Sequence, residues 1–147
     1  MTRDPSRDAS ASGQLPIGVV ELPRMLIVED NDEHRRELVA HFTDRGWSVE
    51  ATRTLRGALA IARRHLPAVI LTELLLPDVR GCRFAQEYRD AVGKPVMIVA
   101  VTRVPALIFE TARKAGFDQV LGKPVDFDAL ERCVEPALLA RTESARQ

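Results

Sequence analysis

The sequence predicts a doubly wound α/β domain, in which helices cover both faces of a five-stranded parallel sheet. Five short runs, either apolar or alternating between apolar and polar residues, are separated by segments of helical length and pattern. The run that begins at Ala68 (Ala-Val-Ile-Leu) is wholly apolar, as expected for a strand buried on both faces of such a sheet. No internal repeat or second domain interrupts this alternation.

Each strand has its own signal in the sequence. Continuous apolar runs predict central strands, and the alternation that starts at Trp47 predicts a strand nearer an edge. The predicted strands cover residues 25–28, 47–51, 68–72, 96–101 and 119–121.

Each helix is predicted from an inward-facing apolar stripe and from signals at its ends. In the first helix, Asp30 or Asn31 can cap the start, and Gly46 stops the helix. Gly57 lies inside the second helix and is expected to weaken it by about 1 kcal/mol relative to alanine. Pro136 lies inside the last helix and is expected to kink or end it. The first predicted helix ends at about residue 45. The next three cover about residues 54–65, 83–91 and 105–115. The last helix starts near residue 126.

The domain organisation is expected to be one folded unit with two tails. Residues 1–23 are small, polar and aperiodic, so we expect a disordered N-terminal tail, with a docking arm as the alternative. The folded domain is expected over residues 24–140, and residues 141–147 form a polar C-terminal tail.

Composition and charge exclude several classes of protein. The chain has 147 residues, enough for one sizeable core, and its 21 Lys and Arg balance its 21 Asp and Glu. No bulk charge therefore draws it onto nucleic acid or an anionic membrane, although a local basic face remains open. The two cysteines, Cys82 and Cys133, have no metal-type spacing. Because no signal-type N-terminus and no long apolar stretch occur, we expect a cytoplasmic protein that does not span a membrane.

Polar side chains follow four of the predicted strands at the point where each strand ends. Glu29 and Asp30 follow the first strand, Glu73 the third, Thr102 the fourth and Lys123 the fifth. Because the carboxyl ends of parallel strands meet at one edge of a sheet, we expect these side chains to lie close together. Considered one at a time, each residue has a purely structural alternative. The acidic pair could serve merely as helix-capping residues, the threonine as an N-cap and the lysine as a surface residue. A glutamate ending a buried strand needs a partner.

Pro77 and Gly81 fix the loop after Glu73, and with this loop the whole set resembles the receiver domains of response regulators in two-component signalling. The resemblance covers about residues 24–140 and implies a flavodoxin-like (βα)5 fold. In the family, an Asp four residues before the proline accepts a phosphoryl group. Here that position holds Glu73.

The resemblance also implies a role for each residue at this edge. The hydroxyl of Thr102 would contact a phosphoryl oxygen, and the ammonium of Lys123 would neutralise the acceptor or its phosphate. Such a site takes phosphate from a histidine kinase and catalyses its own phosphorylation by positioning and charge stabilisation. A Mg²⁺ ion would be bound through oxygen atoms. Its ligands would be Glu29, Asp30, Glu73 and the backbone carbonyl of Leu75.

Four residues depart from the family pattern. The extra methylene of Glu73 moves the carboxylate outward by about 1.5 Å, towards the threonine and the lysine. There it either mimics the phosphorylated state or fills the pocket and displaces the metal. Val120 stands where an aromatic switch residue is frequent, and Arg103 stands where a small residue is common. Pro136 alters the end of the last helix.

We therefore expect a stand-alone receiver-like signalling module that is phosphorylation-independent, is not an enzyme and acts through protein–protein contacts. Its partner would be a histidine kinase or a downstream regulator. By resemblance, the contact surface, or a homodimer interface, would be the fourth helix, fifth strand and fifth helix. No DNA-binding helix-turn-helix follows the last helix, so no direct nucleic-acid binding is expected. If the chain is part of a longer protein, an effector domain belongs to the remainder.

Two alternatives remain open. The first is a working receiver that binds Mg²⁺ and accepts phosphate from a histidine kinase. The second is a small phosphoryl-transfer enzyme on the same scaffold with Glu73 as nucleophile. Such an enzyme would want a second acid two residues further on, where Leu75 stands, and a substrate-binding cap.

Overall fold

A computed structural model describes residues 21–146 of the chain, with side chains described as far as Leu139. Residues 1–20, most of the expected disordered tail, lie outside the described residues. None of the described helices combines the length and the apolar character that crossing a membrane requires.

Within the described residues, five strands form a single parallel sheet. Their bounds are β1 Arg24–Val28, β2 Ser48–Thr52, β3 Val69–Thr72, β4 Met97–Thr102 and β5 Gln119–Gly122. The order across the sheet is β2-β1-β3-β4-β5, and every neighbouring pair is parallel. The predicted flavodoxin-like, doubly wound fold is therefore confirmed. The alternating strand β2 lies at an edge, as its pattern indicated.

Five α-helices and one 3-10 turn connect and follow these strands in the described part of the chain. Their bounds are α1 Asp32–Asp44, α2 Leu55–Arg64, α3 Phe84–Val92, the 3-10 turn Ala106–Ile108, α4 Phe109–Lys114 and α5 Phe127–Arg146. The segment predicted as one fourth helix is thus divided. Pro105 precedes the turn without a side-chain cap, and the first turn tightens into 3-10 geometry, as uncapped helix starts often do.

The helices pack on both faces of the sheet, and each face has its own apolar core. On one face, β1, β3 and β4 pack against α1 and α5. On the other face, the same strands and β5 pack against α2, α3 and α4. Most residues expected on the inward stripes are buried in these two cores, among them Leu38, Phe42, Ala58, Phe84, Tyr88, Ala112, Leu130 and Val134. Leu59, Ile108 and Phe127, also expected to face inward, are only half-buried.

Pro136 does not end the last helix, contrary to one of the two expectations for this position. Helix α5 continues to Arg146, past residue 140, where the sequence indicated the end of the domain. A proline removes the hydrogen bond to the carbonyl four residues earlier, here that of Arg132. Both residues are exposed, so water can satisfy that carbonyl and the helix can continue.

Close packing at Gly57 opposes the expectation that this residue weakens α2 relative to alanine. A Cβ atom at this position would overlap Oγ1 of Thr52 and would lie 2.9 Å from Cβ of Thr52. Thr52 ends β2, and the two elements approach each other at this point. We expect Gly57→Ala to lower the free energy of unfolding by about 1 to 3 kcal/mol, because β2 or α2 must shift.

Urea unfolding followed by circular dichroism measures this change. Adding Thr52→Ala to Gly57→Ala should restore part of the loss, since it removes the overlapping hydroxyl. If Gly57→Ala were as stable as the native protein or more stable, helix propensity would outweigh packing here.

Candidate functional site

The candidate site lies where β1, β3, β4 and β5 end, at the carboxyl edge of the sheet. The amide of Glu73 donates to the carbonyl of Val28 at 3.0 Å, and the amide of Lys123 donates to the carbonyl of Thr102 at 2.8 Å. These bonds continue the sheet one residue beyond its strands. They hold the backbone of Glu73 and Lys123 in register with neighbouring strand ends.

Lys123 joins two carboxylates at the centre of this edge. Its Nζ lies 2.6 Å from Oε1 of Glu29 and 2.9 Å from Oε2 of Glu73. The three side chains are nearly out of contact with solvent, with exposed fractions of 6% for Lys123, 3% for Glu29 and 10% for Glu73. A buried ion pair of this kind requires good geometry, because both partners lose their hydration.

Thr102 forms a hydrogen bond to the other carboxylate oxygen of Glu73. The hydroxyl of Thr102 donates to Oε1 of Glu73 at 2.5 Å, and the Thr102 side chain is fully buried. The same hydroxyl accepts a hydrogen bond from the amide of Val104 at 3.3 Å. Both oxygens of the Glu73 carboxylate therefore have donors from this site.

Glu29 is held by the start of α1. Its Oε2 accepts from the amide of Asn31 at 3.1 Å, and its carbonyl accepts from Nη1 of Arg35 at 2.9 Å. Asn31 also caps α1, since its side chain accepts from the amide of His34 at 2.9 Å. One short segment thus begins the helix and fixes the carboxylate that faces Lys123.

The ionisation of Lys123 is set by two opposing effects. Burial lowers the pKa of Lys123, because it penalises the charged form. The hydrogen bonds and charges of Glu29 and Glu73 raise the pKa by more, so the pKa lies above the ordinary lysine value. Lys123 is therefore an ammonium at neutral pH and is bound tightly by both carboxylates.

The residues that the resemblance assigns to Mg²⁺ do not fit a metal in this arrangement. The oxygens of Glu29 and Glu73 face hydrogen-bond donors, and an ammonium lies between the two carboxylates. Asp30 is exposed and bonds to no other described residue. No group of three or more His, Cys, Asp or Glu in the described chain could hold an ion. Mg²⁺ requires several oxygen ligands in octahedral geometry, and this arrangement does not offer them.

The other residues singled out by the sequence lie outside this network. The side chain of Leu75 is 57% exposed, and Val120 is buried in the core on the α2–α4 face. Arg103 is exposed, and its Nη2 lies 3.4 Å from Nε2 of His34. Arg103 also lines a pocket of about 370 Å³ beside Lys123. It does not contact Glu73.

Sequence reasoning missed Asp78, which supports the loop that follows Glu73. Its two carboxylate oxygens accept from the amides of Leu55 and Arg56, each at 3.0 Å. Asp78 therefore caps the start of α2 from a different loop, in addition to the local cap by Thr54. An acid 22 residues away from the amide it caps leaves no periodic signal in the sequence.

A comparison with protein families identifies the class of protein that this fold and edge define. The family model of the response regulator receiver domain matches residues 25–135. The chain belongs to the receiver-domain family of two-component signalling, which confirms the resemblance drawn from the sequence.

Individual relatives agree with this assignment. The chain is 31% identical over 116 residues to the regulatory protein AtoC of Escherichia coli (strain K12), covering 78% of this chain and 25% of that protein. It is 32% identical over 128 residues to the transcriptional activator protein PfeR of Pseudomonas aeruginosa, covering 84% of this chain and 40% of that protein. The chain thus spans less than half the length of these two curated relatives.

Solved structures give the same result for the fold. A CheY-like response regulator receiver domain from Methylobacillus flagellatus matches with a TM-score of 0.69 at 25% identity, over 80% of this chain and 99% of that one. The receiver domain of TorR, the response regulator of the TMAO respiratory system, matches with a TM-score of 0.72 at 26% identity. This match covers 80% of this chain and 98% of that one.

Proposed function

We propose that this chain is a receiver module that signals without being phosphorylated, with Glu73 permanently at the acceptor position. The observation that carries the proposal is the position of Lys123, which bridges Glu29 and Glu73 at 2.6 and 2.9 Å. An acceptor carboxylate must present a free oxygen to a phosphoryl donor. Here one oxygen of Glu73 accepts from Lys123 and the other from Thr102, and this opposes phosphotransfer.

Charge supports the same proposal. Phosphoryl transfer to a carboxylate needs positive charge to offset the repulsion between two anions. In this site the charge of Lys123 already compensates two buried glutamates. A metal would have to displace that ammonium, at the cost of leaving a buried lysine beside a divalent cation.

Of the two roles open to Glu73, we favour mimicry of the phosphorylated state over mere filling of the pocket. Glu73 binds both side chains that, by resemblance, would contact a phosphoryl group. The hydroxyl of Thr102 lies 2.5 Å from Oε1 of Glu73, and Nζ of Lys123 lies 2.9 Å from Oε2. The module would then remain in its signalling conformation without a kinase, and Val120 would play no switching part.

The output proposed for this module is protein–protein contact in a two-component pathway, without catalysis and without direct binding to nucleic acid or membrane. Relatives carry the names of transcriptional regulators, and one is named the sensor histidine kinase RcsC. By family resemblance, the contact or homodimer face would be α4, β5 and α5. Leu107, which is 79% exposed just before α4, supports an apolar contact there. The compartment proposed is the cytoplasm.

A Mg²⁺ titration tests the proposal. We expect millimolar MgCl₂ to leave the melting temperature of the native protein unchanged, relative to NaCl of equal ionic strength. In Glu73→Asp the shorter side chain withdraws from Lys123, and Mg²⁺ should then raise the melting temperature, because it binds only the folded state. Glu135→Asp, the same change on an exposed glutamate of α5, is the matched control. Equal stabilisation of the native protein and Glu73→Asp by Mg²⁺ would contradict the proposal.

A further inference from the structure

Helix α2 and its flanks carry positive charge with no acid among them. Between Glu50 and Glu73 the chain has no Asp or Glu. The same stretch contains four arginines, at positions 53, 56, 63 and 64. Because the net charge of the chain is zero, this is a local excess that other regions balance.

Two of these arginines flank a leucine on one stripe of α2. Arg56, Leu59 and Arg63 are separated by three and four residues, the spacing of neighbours on one side of a helix. Leu66 follows two residues after Arg64, where α2 ends and the backbone becomes extended. Leu66 is 50% exposed and lies beside the basic end of α2.

The C-terminal part of this stripe borders a groove between the C-terminal ends of α2 and α3. The groove has a volume of about 290 Å³. Leu59, Ala62 and Leu66 line one wall, and Ala91 and Val92 line the other. Cations stand at its rim, namely Arg63 and Lys94.

The two cations at this groove, and Arg56 on the same stripe of α2, have no acidic partners in the described part of the protein. Arg56, Arg63 and Lys94 are exposed, and their side chains form no ion pair with a described residue. By contrast, Arg64 pairs with Glu50 at 3.6 Å and Arg53 pairs with Asp32 at 3.8 Å. Arg63 and Lys94 at the groove, and Arg56 further along α2, are therefore available to an acidic partner.

We propose that the α2–α3 groove binds an acidic amphipathic segment of a partner protein. An apolar side chain of the segment fills the space between Leu59, Leu66 and Val92. Its carboxylates pair with Arg56, Arg63 and Lys94. Charge complementarity selects an acidic partner. The exposed leucine favours a protein segment over a nucleic acid, whose phosphate backbone offers no apolar side chain for the groove.

This surface is distinct from the candidate site at Glu73. The helices run antiparallel to the strands, so the C-terminal ends of α2 and α3 lie at the amino edge of the sheet. Glu73 lies at the carboxyl edge, following β3. Binding of a partner at the α2–α3 groove can therefore be tested independently of phosphorylation at Glu73.

Fluorescence anisotropy with a designed peptide tests the proposal on the full chain. The probe is a fluorescein-labelled helical peptide with leucines on one face and glutamates on the others. We expect it to bind the native protein and to bind Arg56→Glu/Arg63→Glu at least about tenfold more weakly. Leu66→Ser should also weaken binding. Arg36→Glu/Arg132→Glu makes the same charge change at exposed arginines of α1 and α5, and it should leave affinity within about twofold.

Several outcomes would overturn this proposal once melting curves show that the variants are folded. One is absence of peptide binding to the native protein, and another is an equal loss in Arg36→Glu/Arg132→Glu. Binding only after deletion of residues 1–20 would identify the chain's own N-terminal segment as the occupant. A dimer abolished by Arg56→Glu/Arg63→Glu would identify a second copy. Tighter binding of a duplex oligonucleotide through the same arginines would identify nucleic acid.

Discussion

Replacing Lys123 by methionine is expected to lower the free energy of unfolding by about 3 to 5 kcal/mol. Methionine preserves most of the side-chain volume but removes the ammonium that lies 2.6 Å from Glu29 and 2.9 Å from Glu73. Two buried carboxylates would then face each other without a cation. Their mutual repulsion and lost hydration would remain without compensation. Urea unfolding at neutral pH measures the loss.

Lys114→Met is the matched control, because Lys114 is exposed on α4 and forms no ion pair within the described residues. Its effect should stay within about 0.5 kcal/mol. If Lys123→Met were no more destabilising than Lys114→Met, the ion-pair cluster would not stabilise the fold.

The same ion pairs predict a loss of stability at alkaline pH. The pKa of Lys123 in the folded state lies above its ordinary value of 10.5, because the bonds to Glu29 and Glu73 outweigh burial. The folded state therefore holds the proton more tightly than the unfolded state, and this contribution is complete below pH 10.5. It is lost as the pH rises through the folded pKa. Melting curves of Lys123→Met should lack this alkaline component.

Replacing Thr102 by valine is expected to cost about 1.5 to 3 kcal/mol of stability, the range for hydrogen bonds to charged groups. Valine has nearly the same shape, so the fully buried site is not emptied. The change removes the donor 2.5 Å from Oε1 of Glu73 and leaves that buried oxygen unpaired. It also removes the acceptor for the amide of Val104.

A double-mutant cycle isolates the contact that this prediction concerns. Thr102→Val and Glu73→Gln should be non-additive, because Thr102→Val removes the donor of this hydrogen bond and Glu73→Gln removes the charge of its acceptor. Thr111→Val, on the exposed side of α4, controls for the effect of the substitution itself. Additive losses would mean that Thr102 stabilises the fold through packing rather than through Glu73.

The meeting of Glu29, Glu73, Thr102 and Lys123 could be predicted from the sequence. Each residue follows a recognisable strand, and the carboxyl ends of parallel strands share one edge. Which of the two acidic side chains, Glu29 or Asp30, would face Lys123 could not be predicted in the same way. Glu29 points inward to Lys123, whereas its neighbour Asp30 is exposed, and side-chain direction at a strand end depends on the packing around it.

Contacts between distant segments account for what the sequence did not predict. Gly57 was expected to weaken a helix, but the approach of Thr52 leaves no room for a Cβ atom there. Asp78 caps α2 through space, and no periodicity marks such a bond. Pro136 is tolerated because the carbonyl it leaves free belongs to an exposed turn. Each of these features depends on a tertiary contact or on solvent, and neither is visible in local propensity.

Intact-protein mass after incubation with Mg²⁺ and a small acyl-phosphate donor shows whether Glu73 prevents phosphorylation of the receiver. The native protein, Glu73→Asp and Glu73→Gln would be compared. We predict that only Glu73→Asp gains the mass of one phosphoryl group, because aspartate withdraws from Lys123 and Thr102 and presents a free oxygen. A phosphoryl group on the native protein that is absent from Glu73→Gln would contradict phosphorylation-independent signalling, since Glu73 would then be a working acceptor.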